Sequence, residues 1–345
     1  MAAFTPNLAI LLTFAAATGC ASTYGLDELD DDTSDLVGAD DLELSDLDLR
    51  EARRGPRPAA DPTPYGYWGM NEYVTAEGLA DVQSRLSGVT FQVANEAPTW
   101  TVNTLLPMVS DAGMTVTLRL AGDHGGYTTS AGSFDLDAWK DKIDVWVGSG
   151  VQAWIDDGTL TGHMILDDIH NFSGADPTGD QLDEMARYSA EVLPGLMTFV
   201  RCQASTMPTP SYGRYQHLDA SVNQYQSVDG TIEDYYAEEL AAATELDLGI
   251  INGLNIADGG DGRSGQPGWR SGRYAMSAAE VIEYGSALAA MPGLGMFLNW
   301  EYDGSEAWSD GTIGAEYFNR PGMQRSLRRL GGIVAAVERT PLQRD

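Results

Sequence analysis

The stretch GHMILDDIHNFSG, residues 162–174, decides how this chain is read. A short apolar run through Met164, Ile165 and Leu166 ends on two adjacent aspartates, Asp167 and Asp168. A buried strand has no use for such a pair, because neighbouring carboxylates repel each other wherever water is scarce. Two explanations compete. Either the aspartates form a solvated strand end that caps the next turn, or they belong to a reaction centre at the mouth of a barrel, where strand ends carry polar chemistry.

Working outward, seven more segments share this character: YGYWGMNEY (65–73), VTFQVANE (89–96), MTVTLRLAGDH (114–124), LMTFVRCQ (196–203), ASVNQYQ (220–226), LGIINGLNI (248–256) and LGMFLNWEY (294–302). Helical patterns separate them, and strands that alternate with helices imply parallel pairing through crossovers. Eight such units within residues 65–345 predict an α/β fold, a (β/α)8 TIM barrel. Thr178 with Gln181, and Ser277 with Glu280, read as capping boxes that open two of the helices. Pro321 stands where the first turn of the last helix begins. STMPTPSYGRYQHLD (205–219) is too rich in Pro and Gly for a full helix, so a loop or single turn is expected there. The rival fold, a doubly wound open sheet, would place a glycine-rich phosphate loop after its first strand; Asn71-Glu72-Tyr73 stands there instead.

The chain carries 51 acidic against 20 basic residues, a formal charge of −31. That balance speaks against nucleic acid, which needs basic patches, and against electrostatic binding to anionic lipid. An acid-rich, lysine-poor surface is also what adaptation to high salt produces. Residues 1–20 read as a signal peptide whose apolar core, Leu8–Ala17, is too short to span a bilayer. It ends at Ala17-Thr18-Gly19-Cys20, which resembles the bacterial lipobox. That resemblance implies export, lipidation at Cys20 and contact with a membrane only through the anchor, at the cell surface or in the periplasm. An ordinary secreted protein is the alternative. Residues 21–64 hold 13 acidic and 4 basic residues and end Pro-rich; they predict a disordered acidic tether, unable to bury enough apolar surface to fold. With Cys20 lipidated, Cys202 has no partner and is expected to be a packed thiol.

In a barrel of this kind the site lies at the C-terminal ends of the strands. Those ends carry Trp68, Glu72, Glu96, Arg119, His124, Asp167, Asp168, His170, Arg201, Gln203, Gln226, Asn252, Asn255, Trp300 and Glu301. Carboxylates and amides hydrogen-bond hydroxyls, while aromatic faces stack on the C–H faces of sugar rings. A carbohydrate is therefore the expected partner of a monomeric barrel. Four histidines, none at the first strand, give no zinc-ligand pattern, so neither a metal nor a cofactor is expected. The loop ADGGDGRSGQPGWRSGR (257–273) reads as a flexible lid.

The segment GHMILDDIHNFSGADPTGDQLDEMARYSAEVLPG (162–195) resembles the fourth-strand region of TIM-barrel glycoside hydrolases. There an apolar strand ends in two acids, followed by a loop and a capped helix closed by Pro-Gly. The resemblance covers residues 65–340 in layout and is sharp only in this segment. Its Asp-Asp, with Asn252, Asn255 and Asp258 around strand seven, matches no named family of that group. It implies that Asp168, with Asp167 beside it, takes the place of a fourth-strand acid. Since successive strand residues point to opposite faces, one aspartate faces the axis. Asp168, nearest the strand's end, is expected to be the general acid, with Glu301 as its partner and Glu72 and Asp258 in reserve. Asp167 is expected to accept structural hydrogen bonds. The function expected is glycoside hydrolysis by a surface-anchored enzyme; the alternative is a catalytically inactive glycan-binding barrel.

Overall fold

In the computed structural model, which describes residues 62–68, 75–85, 90–94, 97–300, 302, 308–312, 314–340 and 342, parallel strands close into a barrel in sequence order. They are β1 (Tyr65–Tyr67), β2 (Thr90–Ala94), β3 (Thr115–Arg119), β4 (Leu160–Asp167), β5 (Met197–Arg201), β6 (Ala220–Tyr225), β7 (Gly249–Leu254) and β8 (Leu294–Asn299). Pairing of Tyr65 with Phe297 and of Tyr67 with Asn299 joins β8 back to β1. The outer layer holds α1 (Ala76–Arg85), α2 (Leu106–Asp111), α3 (Leu136–Asp144), α4 (Gln152–Asp156), α5 (Gly179–Val192), α6 (Ile232–Leu246), α7 (Ala278–Ala289), α8 (Gly314–Phe318) and α9 (Pro321–Ala335). The fold is therefore α/β and TIM-like. The signal peptide, Cys20 and residues 21–61 of the tether lie outside the described residues, as do Glu72, Glu96 and Glu301; the last three tether positions, 62–64, join the folded unit, with Thr63 buried.

Local signals place the helices. Thr178 accepts the Gln181 N–H while the Gln181 side chain reaches back to the Thr178 backbone, so α5 opens with the expected capping box. Ser277 and Glu280 do the same for α7, and Pro321 is the first residue of α9. Each reciprocal pair satisfies two backbone donors that the first helical turn leaves open.

No α-helix separates β5 from β6; a 3-10 turn, Ala204–Thr206, and a loop stand there, as the Pro and Gly content predicts. Asp183 of α5 pins that loop. Its buried carboxylate accepts the backbone N–H groups of Gln216, His217 and Leu218 and the Tyr212 hydroxyl. The loop packs so closely on the start of α5 that a Cβ at Gly179 would lie 2.5 Å from Pro210 N.

Two apolar layers result. Trp68, Met164, Met197, Phe199, Val222, Ile251, Met296 and Leu298 fill the barrel, and a larger cluster packs the strands' outer faces against the helices. β4 breaks its own alternation. Its register with β5 steps from Met164↔Phe199 to Leu166↔Val200, leaving Ile165 as the extra residue of a bulge. Ile165 and Leu166 accordingly both join the helix-side core, while Met164 stays in the interior. The Ile165 carbonyl accepts the Trp139 indole N–H from α3 at 2.9 Å. A bulge re-aims every side chain beyond it.

Candidate functional site

Beyond the bulge, Asp167 pairs with Arg201, which follows the interior residues Met197 and Phe199 at strand spacing. The bulge thereby turns Asp167, and not the expected Asp168, to the barrel axis. Uninterrupted alternation would have put Met164, Leu166 and Asp168 on one face. Arg119 arrives on the same side from β3. Two residues before it, Thr117 lies beside the Gly162 position, where Met197 and Phe199 also converge. Arg119 donates to one Asp167 oxygen at 2.8 Å and Arg201 donates to the other. Trp68, directly after β1, lies under the Arg201 guanidinium, 5.8 Å from it. Burial pushes the Asp167 carboxyl up, but the Arg201 and Arg119 cations outweigh it and hold the carboxyl below the usual range.

Asp168 has another task. Its φ is 55°, in the left-handed region, where a short polar side chain is tolerated if it bonds locally. It does so: one carboxyl oxygen accepts the His170 N–H at 3.1 Å, and the Asp168 carbonyl accepts the Asn171 N–H. The other oxygen stands 4.0 Å from Arg201. The two explanations of the Asp-Asp pair thus divide between its members, with Asp168 forming the turn.

The remaining candidates separate by position. His124 sits against Asp167; burial pulls its imidazole below the ordinary value, although the nearby carboxylate works the other way. Gln203 reaches Asp229, and the Gln226 side-chain amide oxygen accepts from Arg270. Trp300 packs on the interior cluster with Trp269 edge-on to it at 5.5 Å. His170 pairs instead with Asp176 on the exposed loop. Asn252 is a correction. It is fully buried on the outer face of β7, donating to the Leu288 carbonyl and to Met291 of the α7 region, so no ligand at the mouth can touch it. Asn255 is buried as well and accepts the Asp258 N–H to shape a turn.

The β7 loop is not the free lid expected. Asp258, buried, accepts both the backbone and side-chain N–H of Arg270. Gln266 donates to Asp310 and accepts from Arg320, and Gly260 and Pro267 bridge to Tyr274. Asp258 is thus a loop anchor and not a reserve catalyst. Two mouth residues escaped sequence reading. Gln224 continues the inward row of Ala220 and Val222 on β6, and that spacing was the signal available for it. Asp229, in the turn after β6, accepts from Gln226 N and Gln203, and burial pushes its carboxyl up. Nothing in its sequence context announces that burial.

No family model matches this sequence, and no curated protein matches it significantly. Its fold does have solved counterparts. A structure from Cytophaga hutchinsonii superposes with a TM-score of 0.50 at 10% identity, covering 78% of this chain and 89% of that one. A GH113 β-1,4-mannanase gives 0.49 at 13% identity, over 79% of this chain and 99% of its own. A hyperthermophilic endocellulase from Pyrococcus horikoshii gives 0.48 at 12% identity, over 79% and 93%. At such identities the likeness is one of fold.

Proposed function

We propose that the barrel mouth binds a carbohydrate and hydrolyses a glycosidic bond by carboxylate chemistry. The observation that carries this reading is the axis-facing Asp167, held by Arg119 and Arg201 above Trp68. Glycoside hydrolysis needs one ionised carboxylate and one protonated carboxyl acid. Asp167, held low by two cations, suits the ionised duty of base or nucleophile. Asp229, pushed up by burial, suits the acid, with Asp168 and Glu301 as the other donors to be tested. The acid gives its proton to the departing glycosidic oxygen, and water supplies the hydroxyl left on the anomeric carbon. Export with a lipid anchor at Cys20 completes the proposal, checked by fractionating a Cys20→Ala variant.

A second reading, binding without cleavage, has its own support: each Asp167 oxygen accepts from a guanidinium group, and the two cations lower the basicity that a base or nucleophile needs. A glycan-array screen followed by product analysis separates the two. Hydrolysis is expected to fall by about 10²-fold or more in Asp167→Asn, the scale of losing an acid–base group, while glycan binding persists. Unchanged turnover in that variant would remove Asp167 from the chemistry. Binding with no product from any glycan would establish the second reading.

A further inference from the structure

We propose that the outward face of α9 is a docking surface for an acidic segment of this same chain, residues 27–48. The inference is independent of the carbohydrate reading above.

The first observation is where the positive charge lies. Of the 20 basic residues in the chain, Arg320, Arg325, Arg328, Arg329, Arg339 and Arg344 all follow residue 319, where only Glu338 and Asp345 oppose them. Of the outer-layer helices α1 to α9, only α9 contains no Asp or Glu. It buries Met323, Leu327, Leu330, Gly331 and Val334 against the core. At 3.6 residues per turn, Arg325 and Arg329 stand on the opposite face, and both are exposed. Neither makes an ion pair among the described residues. Arg328 lies on the flank of this face and has a partner of its own. One turn apart on a helix without acids, Arg325 and Arg329 repel each other. A Cβ added at Gly322 or Gly332, on the same side of α9, would meet nothing within 4 Å, so no described residue covers this face.

The second observation is where the complementary charge enters. Residues 27–48 hold 11 Asp and Glu and no Lys or Arg. The chain joins the barrel at Pro62 and Thr63, which are bound to Glu338 and Val337, directly past the C-terminal end of α9. Fully extended, the connection from residue 48 to Pro62 spans about 45 Å. The helix itself is about 22 Å long, so the run can reach every part of it. Held in the same chain, the run meets the arginines at roughly millimolar effective concentration. A separate polyanion lacks that advantage and meets the repulsion of a chain carrying a charge of −31. The contact consists of exposed ion pairs, which add little to stability and are screened by salt. Its effect is on reach: the segment lies along the barrel at low ionic strength and leaves it as salt rises.

Zero-length cross-linking in the full chain tests the proposal. Arg325→Lys with Arg329→Lys keeps both charges and adds two amines to a sequence whose only lysines are Lys140 and Lys142. A carbodiimide then joins an amine to a carboxylate only where the two touch. At about 20 mM salt the amines at 325 and 329 are expected to couple to acids of residues 27–48 within one molecule, with the yield falling several-fold at about 0.5 M. Arg325→Glu with Arg329→Glu should speed cleavage of that run by an acid-specific protease a few fold at the lower salt and leave it unchanged at the higher. A thermal melt confirms that each variant is folded; should the charge-reversed variant fail to fold, the cross-links decide. Coupling only between molecules would give the face to a second copy. Coupling to barrel acids alone, or to nothing, would make it a solvated surface. Either result, or equal cleavage of wild type and the charge-reversed variant at low salt, would overturn the inference.

Discussion

Asp167 shows how a carboxylate becomes affordable inside a barrel mouth. Its side chain is 18% exposed, so burial alone would favour the neutral acid, and two guanidinium groups reverse the preference. The consequence for stability has a definite sign. A carboxyl held lower in the folded than in the unfolded chain stabilises the fold fully above the unfolded value, about 3.9. That stabilisation is lost as pH falls through the folded value. Asp167→Asn, which keeps the shape but leaves two cations without their counter-charge, is expected to cost about 2–4 kcal/mol at neutral pH. The gap between variant and wild type should narrow as pH drops below about 4. Urea unfolding at a series of pH values measures it; a gap constant with pH would mean that the ion pairs contribute nothing. Asp168→Asn should be mild by comparison, since Asn also tolerates the left-handed turn and can accept the His170 N–H.

At the scale of elements, what was legible followed from local chemistry. Both capping boxes, Pro321 at the start of α9 and the lack of a helix between β5 and β6 are written in residues next to one another, and the structure has each of them. The facing of the Asp-Asp pair was not legible, because it depends on one extra residue in β4. Nothing near Ile165 marks that insertion. Its carbonyl is satisfied from Trp139, 26 residues earlier, on a helix that meets β4 only in the folded molecule. Asn252 misled for a related reason: an amide near a strand end reads as a ligand contact until the helix packed behind it is known. The bulge makes Trp139 a positioning residue for the mouth. Trp139→Phe keeps an aromatic ring and removes one donor from a buried carbonyl, so a loss of about 1–3 kcal/mol is expected. Glycan turnover should fall in the folded variant while the Asp167→Asn background shows no further loss, because the two act through the same carboxylate. Additive losses would show that Trp139 only stabilises the barrel.

For the whole molecule, the closed ring of strands depends on the chain's two described ends meeting. Thr63, 2% exposed, donates its backbone N–H and its hydroxyl to the Val337 carbonyl just past α9, and Pro62 bridges to Glu338. At the opposite end from the mouth, Leu342 joins the interior cluster as a floor plug. It fits there because β7 and β8 present Gly249 and Gly295, where a Cβ would approach Leu342 within 2.3 and 2.0 Å. The boundary of the stable unit should therefore fall just before Pro62. A chain beginning at Asp61 keeps every one of these contacts and sheds an acidic segment whose sequence offers the core little apolar surface. Its melting temperature should lie within about 2 °C of that of the longer chain. A chain beginning at Tyr65 loses both Thr63 hydrogen bonds and leaves the Val337 carbonyl to find water, so it should melt several degrees lower. Leu342→Ala, which empties part of the floor, should cost about 2–5 kcal/mol, as large-to-small changes in a packed interior do. Calorimetry on the three variants reads all of this directly. A large drop for the Asp61 start would mean that the acidic segment packs on the barrel. A wild-type melt for Leu342→Ala would mean that the floor is closed without it.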